Sequence, residues 1–177
     1  MTRREQIRLA AVDAIAHDGF YETTIQDIAS KADVSVGTIY NYFHSKEEIL
    51  GCIFEVEYQR RTRLLKTLLL QQKPVSERFA EFLRLHFADL QQNPALGKLL
   101  IQECRFPLRK EFAPMKDYAS QLPKLLGQLL DPEDSSGLTG TAAFGALQAL
   151  SMRYLLLADI DLKAAIKVMT DLFCPSP

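Results

Sequence analysis

Tryptophan is absent from this 177-residue sequence, glycine is sparse, and there are only three cysteines. Cys52, Cys104 and Cys174 are odd in number and far apart, so they form neither a disulfide framework nor a zinc-binding pattern. No apolar run approaches the ~20 residues that span a bilayer. Asp13 and His17 interrupt the first apolar stretch, unlike a secretory leader. We therefore predict a cytoplasmic protein with no membrane partner, no metal and no cofactor.

An excess of charge of one sign is also missing, since the formal net charge is −1. Residues 1–50 carry five Lys and Arg against eight Asp and Glu, whereas residues 51–130 carry thirteen against eight. A nucleic-acid partner would therefore need a local basic patch rather than a global positive field. The basic residues available near the N-terminus for such a patch are Arg3, Arg4, Arg8 and Lys46.

Helical periodicity with recognisable caps runs through the chain, and no strand pattern is present. Residues 3–18 place apolar side chains on one face and are followed by Gly19, which predicts a helix C-cap. Pro114 and Pro123 predict a kink or a late start in the helix that covers 108–130. The pattern predicts an all-α protein of about nine helices. The other predicted helices are 25–32, 36–43, 46 to the Lys73-Pro74 pair, 75–92, 95–104, 138–158 and 162–173.

Two short helices joined by a tight turn follow the first helix, which is the pattern of a helix-turn-helix domain. In the second of them, Ile39 and Phe43 are four residues apart and are predicted to face inward. The outward face then includes Gly37, a residue that is unfavourable inside a helix unless the backbone must closely approach another molecule. The side chains predicted to bind phosphates or a base edge are those of Thr38, Tyr40, Asn41 and Tyr42.

These residues belong to a longer signature, in which residues 7–54 resemble the DNA-binding domain of the TetR family. The segments that carry it are Gly19-Phe20, Thr23-Thr24-Ile25, Ile28-Ala29, Ala32-Asp33-Val34-Ser35, Gly37 to Phe43 and Ser45 to Leu50. The resemblance implies a homodimeric repressor with a DNA-binding domain at 1–50 and a ligand-sensing and dimerisation domain at 51–177. Such repressors leave a palindromic DNA operator when a small-molecule inducer binds. By position, the implied DNA contacts are Thr24, Gln26, Ser35, Val36, Gly37, Thr38, Tyr40, Asn41, Tyr42, His44 and Lys46.

Two positions depart from the family pattern. Asp33 stands where the turn usually has glycine, and Asp tolerates a left-handed backbone better than most residues. Val36 stands where relatives often have Lys or Arg, so it replaces a charge with an apolar contact, such as one with a thymine methyl group. The operator sequence therefore does not follow from the family.

The resemblance also places a lipophilic ligand pocket among the middle helices. Residues Leu99 to Arg105 and Phe144 to Phe173 faintly resemble the branch that senses fatty acyl-coenzyme A, whose phosphates Arg105, Arg109 and Lys110 would hold. The alternative is a drug- or aromatic-responsive regulator of an efflux gene. The predicted lining is Ile53, Phe79, Phe82, Leu83, His86, Phe87, Leu99, Leu100, Glu103, Phe106 and Tyr118.

The last two helices carry broad apolar faces, and the resemblance places the dimer interface there as a four-helix bundle. The alternative is that these faces are internal core. Small residues, including Gly140, are predicted to allow the two helices to approach closely. The predicted interface residues are Ala143, Leu147, Leu150, Tyr154, Ile166, Met169 and Phe173.

A helical enzyme and an adaptor protein are the remaining classes. An enzyme would have to use His86, Glu103 or Cys104, and no motif marks any of them as a nucleophile. Neither class accounts for an outward Gly37-Thr38-x-Tyr40-Asn41-Tyr42 surface. We therefore predict a DNA-binding regulator and no enzymatic activity.

Overall fold

The computed structural model describes residues 1–104 and 113–175, with the backbone alone for 113–119. Over these residues the fold is all-α, with nine α-helices and no strand, as predicted. A turn of π-helix, Arg153–Leu157, follows the eighth helix. None of the described helices is both long and apolar enough to cross a membrane. The helices are α1 (Arg3–Asp18), α2 (Ile25–Lys31), α3 (Val36–Tyr40), α4 (Lys46–Leu69), α5 (Val75–Gln92), α6 (Pro94–Gln102), α7 (Ala113–Leu130), α8 (Leu138–Met152) and α9 (Leu162–Phe173).

Hydroxyl side chains define the starts of the helices near the N-terminus. Thr24 forms a capping box with Asp27 at the start of α2, and Ser35 and Ser45 each accept a hydrogen bond from the third helical N–H of α3 and α4. Helix α3 ends at Tyr40, three residues earlier than predicted. The amides of residues 42 and 43 still donate to the Ile39 carbonyl, so a tight turn continues the inward face to Phe43.

A first hydrophobic core lies beneath α1, α2 and α3. Helix α4 begins in this core and continues beyond it, so the predicted boundary between residues 50 and 51 falls inside one continuous helix. The two parts of the chain are therefore joined by a rigid element rather than by a linker. Helix α6 also contributes to the first core, through a fully buried leucine. The main buried side chains are Ile7, Ile15, Ile28, Ile39, Phe43, Ile49, Ile53 and Leu99.

A second core is formed by α4, α5, α7, α8 and α9. Helices α7 and α8 touch through their backbones, because a Cβ added to Gly140 would lie 2.0 Å from the Pro123 carbonyl oxygen and 2.5 Å from the Gly127 nitrogen. Gly140 therefore allows α8 to approach α7, whereas the sequence suggested that it serves the approach of α8 and α9. Pro123 lies inside α7 and does not end the helix, and Pro114 is its second residue.

Candidate DNA-binding surface and internal cavity

The turn between α2 and α3 has the left-handed residue that the sequence predicts. Asp33 has a φ of 50°, and the Val34 amide closes the turn by donating to the Ala29 carbonyl at 3.0 Å. The Gln6 side-chain amide donates to the Ala32 carbonyl at 2.6 Å, which ties the turn to α1. The angle between α2 and α3 is therefore held by backbone groups and by one residue of the first helix.

Helix α3 separates its side chains as expected. Ile39 and Phe43 are fully buried, whereas 51% of Tyr40 and 41% of Tyr42 are exposed. Gly37 and Asn41 are exposed between these tyrosines. Large aromatic side chains usually bury most of their surface in a monomer, so this face is suited to contact another molecule.

The fold itself does not require glycine at position 37. A Cβ there would meet only the Ser35 hydroxyl, at 3.8 Å, and the backbone conformation is not left-handed. Glycine is nevertheless unfavourable in a helix by about 0.8–1.0 kcal/mol relative to alanine. Packing among the described residues therefore does not explain glycine at this position.

The other residues predicted to contact DNA differ in their exposure and in the hydrogen bonds that their side chains already make. Gln26 and His44 are exposed, whereas Val36 is half-buried. The Thr24 hydroxyl is engaged in the α2 cap, where its side-chain and backbone hydrogen bonds lower the pKa of Asp27. The Ser35 and Thr38 hydroxyl oxygens lie 2.9 Å apart. Val36 and Thr38 belong to α3, Ser35 caps it, and Thr24 and Gln26 belong to the start of α2, which packs against α3.

Lys46 has different partners from the phosphates expected for it. Its ammonium nitrogen donates to the carbonyl oxygens of Phe20 at 2.5 Å, Tyr21 at 3.2 Å and Thr23 at 2.6 Å. The same nitrogen lies 4.5 Å from the centroid of the Phe20 ring. An ammonium has three donors, and all three are used here. In this structure Lys46 therefore fastens the loop between α1 and α2 to the start of α4.

The basic residues of α1 remain available at the edge of the same domain. Arg3 donates to the exposed Gln6 side chain at 2.8 Å, and the Arg4 guanidinium lies 4.8 Å from the centroid of the Phe43 ring. Arg8 is half-buried. With Lys46 engaged, these arginines are basic groups of the DNA-binding domain that can supply phosphate contacts.

An apolar cavity lies behind the DNA-binding domain, between α4, α5, α6, α7 and α8. Its volume is about 80 Å³, below the ~300–1,000 Å³ of ligand pockets, so a larger ligand requires the surrounding helices to separate. Three of the predicted lining residues are present, namely Phe82, His86 and Leu100. The residues that sequence reasoning missed are Phe54, Glu57, Tyr58, Arg61, Leu65, Leu90, Gly97, Ile101, Cys104, Leu122, Leu126, Phe144, Leu147, Gln148 and Ser151.

The remaining predicted lining residues lie elsewhere. Ile53 and Leu99 belong to the first core, and Phe79, Leu83 and Phe87 belong to the second. The Glu103 carboxylate accepts a hydrogen bond from the Phe20 amide at 3.4 Å. Phe106 and the side chain of Tyr118 lie outside the described residues, as do Arg105, Arg109 and Lys110. One signal was overlooked, because residues 54, 58, 61 and 65 have the spacing of a single α4 face.

One wall of the cavity is polar. Arg61 and His86 Nδ1 are joined at 2.7 Å, and His86 Nε2 lies 2.8 Å from the Ser151 hydroxyl oxygen. The Ser151 hydroxyl is also 2.7 Å from the Leu147 carbonyl oxygen, to which it donates. Arginine only donates, so Nδ1 accepts and Nε2 carries the proton. Burial, with Arg61 nearby, holds the pKa of His86 well below its usual value, which favours the neutral ring.

The apolar faces of α8 and α9 point partly into the chain itself. Of the predicted dimer residues, Ala143, Leu147 and Met169 are buried in the second core. Leu150, Tyr154, Ile166 and Phe173 are partly buried against that core. The three buried side chains fill the core of the chain itself, whereas an interface role for the four partly buried residues stays a prediction. The large apolar side chains exposed on these helices and the π-turn are Leu138, Met152, Leu156, Leu157, Val168 and Leu172.

Comparison with known proteins places this arrangement among regulators. Residues 7–52 match the family described as bacterial regulatory proteins, tetR family. The fatty acid metabolism regulator protein of Bacillus subtilis (strain 168) is 26% identical over 166 residues, which cover 94% of this chain and 84% of that protein. Relatives of this kind are transcriptional regulators and not enzymes.

Solved structures show the same fold over the whole chain. The fatty acid degradation regulator FadR from Bacillus halodurans is 24% identical, with a TM-score of 0.83 over 98% of this chain and 95% of that one. The regulator FadR from Bacillus subtilis, solved in complex with stearoyl-CoA, is 24% identical, with a TM-score of 0.82 over 97% of each chain. The chain described here, with its helix-turn-helix domain and helical body, is a transcriptional regulator whose residues 7–52 form a DNA-binding domain of the tetR family.

Proposed function

We propose that this regulator is a homodimeric repressor that binds a palindromic operator and is released by a lipophilic inducer such as a fatty acyl-coenzyme A. The observation that carries the DNA-binding part is the exposed surface of Gly37, Tyr40, Asn41 and Tyr42 on α3. The backbone is accessible at the glycine, and the polar side chains around it can reach phosphates and a base edge.

The exposed apolar residues of α8 and α9 support the homodimer. Val168 and Leu172 are four residues apart on α9, and 61% and 65% of these residues are exposed. A two-fold axis beside this face would pair α8 and α9 with their copies in a four-helix bundle. The two α3 helices would then enter successive major grooves about 34–36 Å apart, which is why the operator is expected to be palindromic.

The relatives and the cavity support an acyl-coenzyme A as the inducer. The full-length relatives include a fatty acid metabolism regulator and a protein solved with stearoyl-CoA. In this chain, apolar side chains from five helices surround the cavity, and its few polar groups lie along one wall. An aliphatic chain surrounded by these residues would remove apolar surface from water, which is favourable by about 25 cal/mol per Å².

Helices α4 and α6 give ligand binding a route to the DNA-binding domain. Leu99 of α6 is buried in the first core, whereas Leu100 and Ile101 line the cavity. Glu103, at the end of the same helix, is bonded to the Phe20 amide. A ligand that separates the cavity walls would therefore displace α6, which packs against α1. It would favour release from DNA only to the extent that it binds the displaced state more tightly than the other state.

Operator binding tests the proposal at its first step. We expect the protein to shift DNA from upstream of its own gene in a gel, in the presence of excess competitor DNA. Tyr40→Ala and Asn41→Ala should each weaken binding by about 10-fold or more, since a base or phosphate contact is worth ~1–3 kcal/mol. Asn93→Ala is the matched control, because Asn93 is exposed outside this domain and makes no side-chain cap bond. Equal affinities for all three variants would contradict the assignment of this surface.

Stearoyl-CoA tests the second step. We expect saturating stearoyl-CoA to raise the melting temperature of the protein and to weaken the operator complex. If it does neither while operator binding is specific, the proposal of an acyl-coenzyme A inducer is wrong and the DNA-binding assignment remains. Release by aromatic drugs instead would favour the efflux regulator.

A further inference from the structure

Among the described residues, the polar wall of the cavity contains hydrogen-bond donors that lack acceptors. Within the described part of the chain, the Arg61 guanidinium makes one hydrogen bond, at 2.7 Å to His86 Nδ1. Its carboxylate neighbours are farther away, with Asp89 at 3.6 Å and Glu57 at 3.9 Å. Both distances exceed the 2.7–3.2 Å of an ordinary N–H···O hydrogen bond. A guanidinium has five N–H donors, so several remain available in a side chain that is only 13% exposed.

Tyr58 adds a second donor to the same wall. It precedes Arg61 by three residues on α4, so the two side chains share a face of the helix, and both line the cavity. Burial raises the pKa of Tyr58 to about 12, so its phenol keeps its proton at neutral pH. No hydrogen bond of this hydroxyl is found among the described residues. This half-buried hydroxyl can therefore donate a hydrogen bond to an acceptor on a ligand in the cavity.

The charge of this wall favours a neutral acceptor over an anion. Arg60 donates to Glu57 at 2.9 Å and to Asp89, so both carboxylates are already hydrogen-bonded. Among the described residues of this wall, and with His86 neutral, two guanidinium groups balance two carboxylates. An additional carboxylate would leave an uncompensated negative charge beside apolar walls, which is strongly unfavourable. A carbonyl oxygen accepts hydrogen bonds without changing this balance.

We propose that Arg61 and Tyr58 form a recognition point for the carbonyl oxygen of an acyl ligand, and that they make the cavity specific for acyl over alkyl compounds. This inference rests on the proposed acyl-coenzyme A function. The aliphatic chain would contact the leucine and phenylalanine side chains that line the cavity. The two donors would then be satisfied only by a ligand that carries oxygen at its first carbon.

Two ligands that differ only at the carbonyl test the recognition point. They are palmitoyl-CoA and S-hexadecyl-CoA, the thioether that has the same chain but no carbonyl oxygen. In the wild type, we expect palmitoyl-CoA to bind about 10- to 100-fold more tightly by calorimetry, because a hydrogen bond to a charged group contributes ~1.5–3 kcal/mol. This ratio should fall to roughly three or less in Arg61→Met, which removes the charged donor, and by about 2- to 10-fold in Tyr58→Phe, which removes a neutral donor worth ~0.5–1.5 kcal/mol.

Arg63→Met is the matched control. Arg63 lies on the same helix, is exposed, and donates to the Gln59 carbonyl of its own helix at 3.3 Å, so its replacement should leave the ratio unchanged. Because the ratio compares two ligands on the same protein, a general loss of affinity in one variant does not change it. If Arg61→Met fails to fold, Tyr58→Phe still tests the inference, because it removes only a hydroxyl. Equal affinities of the two ligands for the wild type would overturn this inference alone. Binding of neither ligand would also overturn the acyl-coenzyme A function.

Discussion

At the scale of single residues, Gly37 is a position where we expect the stability of the fold and the affinity for the operator to favour different residues. A methyl group at this position meets only the Ser35 hydroxyl, in ordinary van der Waals contact at 3.8 Å, and alanine is the better helix former. We expect Gly37→Ala to raise the free energy of unfolding by about 0.5–1 kcal/mol. It should weaken operator binding by about 10-fold or more, because the added methyl group would keep a neighbouring base or phosphate from its hydrogen bond, which is worth ~1–3 kcal/mol.

Denaturant unfolding and fluorescence anisotropy with a labelled operator measure these two effects. Thr67→Ala is the matched control, because Thr67 is exposed on α4 outside the DNA-binding domain and alanine is again the better helix former. It should gain stability while its operator affinity stays the same. A Gly37→Ala protein with unchanged operator affinity would mean that nothing approaches the α3 backbone closely.

His86 makes the stability of the protein depend on pH. Its pKa is lowered in the folded state, by burial first and then by Arg61 and Arg60, whereas an unfolded histidine titrates near 6.5. Below pH ~6.5 the unfolded chain binds a proton that the folded chain does not, so this group destabilises the fold as the pH falls, by up to about 1.4 kcal/mol per pH unit. In denaturant unfolding, the difference in stability between wild type and His86→Gln should therefore narrow from pH 7.5 to pH 5.5. If this difference in stability stays constant with pH, a group other than His86 takes up the proton on unfolding.

At the scale of an element, the first turn of α4 holds the helix-turn-helix in place through Lys46. We expect Lys46→Met to lower the free energy of unfolding by about 2 kcal/mol, because hydrogen bonds from a charged group contribute ~1.5–3 kcal/mol. The substitution removes all three hydrogen bonds to the carbonyl oxygens together, so the loop between α1 and α2 should also exchange its amide hydrogens faster.

The salt dependence of operator binding distinguishes this role from a phosphate contact. A lysine that neutralises one phosphate per half-site lowers the slope of log affinity against log salt by roughly one unit when it is removed. We expect the slope to stay unchanged in Lys46→Met. A lower slope with unaltered stability would restore the phosphate role that the family pattern implies.

At the scale of the whole molecule, the outward face of α9 decides whether two chains assemble. Leu172→Arg places a charge where a dimer would bury an apolar side chain, and an unpaired buried charge costs about 3–5 kcal/mol, or more than 100-fold in affinity. We expect monomers in analytical ultracentrifugation and no operator binding. The fold should survive, because Leu172 is exposed in the single chain.

Leu70→Arg is the control for this experiment, since Leu70 is 82% exposed and follows the end of α4. A dimeric Leu172→Arg protein would exclude this face as the interface. Leu150→Arg, which the sequence suggests, is a weaker test. Leu150 is packed against the second core, so a charge there would also disturb the chain's own packing.

Most of the fold and the exposed face of α3 could be predicted from the sequence, because the determinants are local. A hydroxyl cap and the turn at Asp33 act within a few residues, and the spacing of Ile39 and Phe43 sets which face of α3 is buried. The helix order, the helix-turn-helix and the exposed Tyr40 follow from such short-range rules. The early end of α3 is a difference of three residues at a terminus, where a tight turn replaces the last helical turn.

Only the tertiary structure decided which groups meet across helices. Periodicity shows that a helix has an apolar face but not which helix covers it, so Leu99 was expected at the ligand and is found in the first core. The sequence shows Lys46 only as a cation near the helix-turn-helix, because its carbonyl partners lie more than twenty residues away. Gly140 touches α7 rather than α9, because the backbones of α7 and α8 come into contact there. The sequence by itself determined a helical DNA-binding regulator, and long-range packing determined the cavity, because its walls come from five separate helices.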